Sequence, residues 1–151
     1  MTTEHATEHL NVAADPEQCI AVALAYERYP DWAPDIKEAA VLARDDRGRA
    51  TQVAFRAAAM GRSASYTLAY TYTDDNRRIG WSLVEGDIMR ALDGTYIFET
   101  GADGSTDMTY HLSVELVVPI PGFVKRRAEG KIMGTALREL KHRVESLHQT
   151  G

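Results

Sequence analysis

Between Ile36 and Val118 the chain is interrupted at DDRGR, MGR, DDNRR, EGD and GADGS, clusters of Gly, Asp, Asn and Arg that turn a backbone but are too short to hold a crossover helix. The segments between them run with a period of two. Tyr66, Leu68, Tyr70 and Tyr72 alternate with Ser65, Thr67, Ala69 and Thr71, and Met108, Tyr110, Leu112, Val114, Leu116 and Val118 alternate with Thr109, His111, Ser113 and Glu115. That pattern predicts an antiparallel meander of six strands with one covered and one wet face. Residues 4–12 alternate as well and predict a further strand, making seven.

The flanks are helical. Asp15 is placed to cap a short helix whose first position is Pro16. Pro30 and Pro34 then restrict YERYPDWAP to a tight connection carrying Tyr26, Tyr29 and Trp32, aromatics positioned to plug something. After a rigid corner at Pro119 and Pro121 comes a proline-free helix of about 25 residues. Met133, Ala136, Leu137, Leu140, Val144 and Leu147 form its apolar stripe, an arc of roughly 100°. The same arc continued backwards lands on Arg126 and Glu129, and Gly130 and Gly134 weaken the helix there. The expected result is a helix that packs on the sheet with its C-terminal half and leaves a cavity under its N-terminal half.

With 151 residues, 44% of them apolar and 26% charged, the chain has the length and balance of one globular domain, 1–151. A net charge of −5 without a cationic stripe argues against nucleic acid. Cys19 is the only cysteine, so no internal disulfide forms, and with no signal-peptide pattern a cytoplasmic location is expected.

Strand, helix, YPDW (29–32), meander, EGD (85–87) followed by LDGTY (92–96), PIPGF (119–123) and the long last helix together resemble the START/polyketide cyclase (SRPBCC) superfamily over nearly the whole chain. The bacterial polyketide cyclase/dehydrase and lipid transport group, related to coenzyme Q-binding proteins, is the nearest in flavour. The resemblance implies an α+β helix-grip fold: a curved seven-stranded antiparallel sheet wrapped around a long C-terminal helix, with a hydrophobic cavity between them. These motifs are signatures of the fold and not of a reaction.

Phe55, Tyr66, Tyr70, Trp81, Tyr96, Phe98 and Tyr110 form the expected inward series, with Met133 and Leu137 facing them from the helix. Buried phenols need hydrogen-bond partners, so water or ligand is expected among them. Arg90, in a loop before LDGTY, is a candidate rim residue for a polar ligand head. Arg56 should point opposite to Phe55, towards solvent. His5 and His9 lie about 13 Å apart along a strand, the other histidines are scattered, and no metal site is expected. Ser63, Ser65 and Cys19 lack the surroundings of a nucleophile, and no glycine motif asks for a nucleotide cofactor. KRRAEGK (125–131) offers a weak contact for an anionic membrane surface.

The expected function is binding or transport of a hydrophobic small molecule such as a lipid, isoprenoid or polyketide-like aromatic. The alternative is a polyketide aromatase/cyclase-dehydratase, for which an inward Arg or a paired acid and base would be the mark. A protein-interaction role would require an apolar patch on the wet face. Neither the ligand nor the oligomeric state is written in these residues.

Overall fold

The computed structural model describes residues 4–59, 62–117 and 121–148, with side chains throughout these except at 4–6, 59, 62, 128–137 and 148. In chain order the elements are β1 (Glu4–Val12), α1 (Pro16–Leu24), a 3-10 turn (Tyr26–Asp31), β2 (Ile36–Arg44), β3 (Ala50–Ala59), β4 (Arg62–Tyr72), β5 (Arg78–Gly86), β6 (Met89–Thr100), β7 (Thr106–Leu116) and α2 (Gly122–His148). The sheet order is β1-β7-β6-β5-β4-β3-β2, and every neighbouring pair is antiparallel. Six strands follow one another as expected. β1 closes the sheet beside β7, at the far end of the chain.

The turns show why the meander forms. Between β2 and β3 the Asp45 carboxylate accepts the backbone N–H groups of Arg47 and Arg49, both at 2.9 Å, and Gly48 takes the left-handed conformation at φ 80°. Between β4 and β5 Asn76 takes φ 60° and donates its N–H to the Thr73 carbonyl.

The α1 start has the expected cap and a reciprocal bond besides: Asp15 Oδ1 accepts the Gln18 N–H at 2.9 Å, and the Gln18 side chain accepts the Asp15 N–H at 3.0 Å. The helix buries Cys19, Ile20, Val22 and Ala23.

The C-terminal half of α2 seats on α1, β1 and β7. Leu140 and Val144 are 0% exposed, and so are Val12, Cys19 and Val114 below them. Polar contacts fix the join: Lys141 donates to the Asn11 carbonyl and to Glu145, both at 2.7 Å, and Glu145 accepts the Ala13 N–H at 2.9 Å. Leu147, expected in the buried stripe, is 47% exposed because the last turn runs past the rim of the core.

Candidate functional site

The inward positions of the central strands carry rings that touch one another in sequence. Tyr29 stacks on Phe55 and Phe55 on Tyr66. Tyr26 meets Tyr70, Tyr70 meets Trp81, and Trp81 lies 4.9 Å from Tyr96 and 5.9 Å from Tyr110 between ring centres. Tyr96 also contacts Phe98 and Tyr110. All seven aromatics expected inside are therefore in one belt across β3 to β7, six of them buried and Trp81 half-buried against the core.

Trp81 owes its place to Gly94, its cross-strand partner. A Cβ on Gly94 would overlap the indole ring and stand 2.6 Å from the His111 carbonyl, so only glycine lets the ring lie flat over β6.

The belt extends beyond the sheet. The 3-10 turn brings in Tyr26, 2% exposed, together with Tyr29 and Trp32, so the proline-bounded connection stops one end of the concave face. Their sequence signal was a run of aromatics beside Pro30 and Pro34; what it could not give was the strands they would meet. Tyr26 shares a hydrogen bond with Tyr72, which donates to the Ala50 carbonyl, and Tyr29 donates to the Ala23 carbonyl.

The deeper phenols differ. Among the described residues the hydroxyls of Tyr66, Tyr70, Tyr96 and Tyr110 make no hydrogen bond. Burial raises the pKa of all four, to well above the usual phenol value at Tyr70 and Tyr110, so they stay neutral donors at any ordinary pH. Neutral phenols lined along apolar walls can hydrogen-bond carbonyl or hydroxyl oxygens of an otherwise apolar guest.

Arg90 lies in β6 rather than in a loop, beside a register shift between Met89 and Ala91. Its guanidinium reaches Glu115 at 3.2 Å. Glu115, expected on the wet face, is 5% exposed. Arg56 points outward to Glu38 at 3.0 Å. Met133 and Leu137 belong to α2, but their side chains lie outside the described residues, as do Val118 and the Pro119 corner. Among the described residues no group of His, Cys, Asp and Glu is arranged to hold a metal ion, and no helix is long and apolar enough to cross a membrane.

A separate groove of about 530 Å³ runs outside, between α1, the 3-10 turn and the end of α2, lined by Asp15, Gln18, Val22, Trp32, Arg143 and Leu147 among others. It is open and edged with charge, and its Asp15 and Gln18 already bond each other. The concave face, with phenols that lack partners among the described residues, is the better candidate site.

A curved antiparallel sheet gripped by a C-terminal helix, with rings on its inner face, defines a START-superfamily fold. The chain belongs to the polyketide cyclase / dehydrase and lipid transport family, whose model matches residues 3–145. Among solved structures it is similar to a START superfamily protein from Mycobacterium smegmatis, at 27% identity and a TM-score of 0.85, covering 97% of this chain and 99% of that one. A Thermus thermophilus protein superposes at TM-score 0.79 with 23% identity, covering 95% and 99% of the two chains. The Zhui aromatase/cyclase of a Streptomyces species superposes at 0.73 with 14% identity over 95% and 94%, a likeness of fold. Among curated proteins none matches the sequence.

Proposed function

We propose that the protein binds and carries an apolar small molecule with a few oxygen functions, a lipid, isoprenoid or polyketide-like aromatic, on the ring-lined inner face of its sheet. One observation supports this above the others: the continuous belt from Phe55 to Tyr110 contains phenol hydroxyls without partners among the described residues. A packed core leaves such groups satisfied, whereas a binding surface keeps them for its guest. Phe55, Tyr66, Tyr70, Trp81, Tyr96, Phe98 and Tyr110 are the contacts of this reading, with Met133 and Leu137 as the roof and Arg90 at the rim.

The rival reading, ring closure and dehydration of a poly-β-ketone, draws on the fold shared with the Zhui aromatase/cyclase. Aldol closure needs a group that stabilises an enolate. Arg56, the β3 arginine that could have served had it turned inward, is paired with Glu38 outside, which removes that group from the cyclase reading.

Native mass spectrometry of gently purified protein tests the reading. A co-purified apolar molecule, or displacement of a bound apolar dye by lipids or aromatic polyketides, is the expected result. Protein that emerges empty and takes up none of them refutes it. Pick-up from an anionic membrane through Arg126 and Arg127, beside Phe123 at 65% exposure, belongs to the same proposal, as does a cytoplasmic location.

A further inference from the structure

The inner face has a carboxylate. Along β1, Val12 is buried and Leu10 packs against the core, so Glu8, two residues further, points to the same concave side. Its register partner is Tyr110, and the partner of Tyr110 on the next strand is Tyr96. Directly opposed residues have Cβ atoms about 4.5–5.5 Å apart. One rung of the sheet therefore runs carboxylate, phenol, phenol.

Glu8 is half-buried and makes no hydrogen bond or ion pair among the described residues. Arg90, Arg56 and Arg49 already have Glu115, Glu38 and Asp45 as partners. Burial first, and then Tyr96, Tyr66 and Glu8, hold the Tyr110 hydroxyl well above its ordinary pKa, so it remains a donor beside an acceptor.

We propose that Glu8 and Tyr110 form the polar anchor of the binding face, and that the anchor takes a ligand hydroxyl. The inference rests on the carrier reading above. A hydroxyl is the group that fits both members, since it donates to the carboxylate and accepts from the phenol. A ligand carboxylate has no proton to give Glu8 and meets like charge. The guest is therefore an alcohol, phenol or enol with an apolar body, and fatty or aromatic acids are excluded. An inward charge on an edge strand can also serve only to block pairing with another sheet, which is the competing explanation for Glu8.

Three probes of one size separate these outcomes: naphthalene, naphthol and naphthoate, titrated by fluorescence or calorimetry into the full chain and into Glu8→Gln and Tyr110→Phe. In the unaltered protein naphthol should bind best and naphthoate worst. Glu8→Gln should narrow the naphthol-to-naphthoate ratio about tenfold, the scale of one charge-assisted hydrogen bond. Tyr110→Phe should weaken naphthol while leaving naphthalene unchanged. If naphthalene and naphthol bind equally, or Glu8→Gln leaves the ratio untouched, the anchor is wrong although the carrier reading stands. If Glu8→Gln alters only the oligomeric state, Glu8 guards the edge and the proposal falls. If none of the probes binds, and the dye and lipids of the previous test also fail, the carrier reading falls first and takes this one with it.

Discussion

The two ends of the interior are built from different material. Where α2 meets α1, β1 and β7 the contacts are aliphatic, with Val12, Val114, Leu140 and Val144 all at 0% exposure, and the polar groups at the margin are matched. Across β3 to β6 the surface is aromatic, Phe55, Tyr66, Tyr70 and Tyr96 keep 5–9% exposure, and hydroxyls lack described partners. Close packing is a source of stability, and unmet hydrogen-bonding groups are a source of affinity for something else. The difference sets an aliphatic seat under the tail of α2 against an aromatic belt with hydroxyls to spare, so under the carrier proposal changes in the seat should alter stability while leaving binding alone.

Leu140→Ala should break the comparison if it is false. Removing a buried leucine from a tight site costs about 2–5 kcal/mol, measured by urea denaturation, while ligand affinity of the folded fraction stays unchanged. A loss under about 1 kcal/mol would mean the tail is no more solid than the belt. Gly94→Ala should follow at about 1–3 kcal/mol, the usual penalty for overpacking. Because its Cβ meets the Trp81 ring and the His111 carbonyl, binding and tryptophan fluorescence should change with it.

Acid provides a subtler probe of the tail. Hydrogen bonding from Lys141, and then from the Ala13 N–H, holds the Glu145 carboxyl below its ordinary value of 4.5. A lowered native pKa contributes stability that is complete above the unfolded value and drains away as pH falls through the native one. Glu145→Gln should therefore flatten the loss of thermal stability below about pH 4.5 and leave binding alone. The smallest effects come from the phenols. Tyr72→Phe, which loses a donor to the Ala50 carbonyl, should cost about 0.5–1.5 kcal/mol. Tyr96→Phe should stay within about 0.5 kcal/mol of the parent in the same denaturation experiment. Equal losses would show that Tyr96 is ordinary core.

The sheet was legible because its signals are local. A period of two fixes which residues share a face, and short turns fix the order of strands, so β2 to β7 and the inward ring series follow from neighbouring residues alone. Asp15 and Pro16 mark α1 for the same reason. Signals that depend on distant partners were not legible. Nothing within YERYPDWAP says that Tyr26 will meet Tyr70 and Tyr72, and nothing near Glu115 says that a register shift will bring Arg90 over it. Glu8 escaped because a glutamate on an alternating strand reads as solvated until its partner, Tyr110, is known.

Placing β1 beside β7 governs how the molecule is born. Thr7 and His111 are 104 positions apart, and Ala13 and Glu145 are 132 apart. Neither contact can form until the later of its two segments has been synthesised, and bringing such remote segments together is slow. Until then the nascent meander displays its rings to water, so the late pairing of β1 with β7 turns an adhesive intermediate into a closed fold.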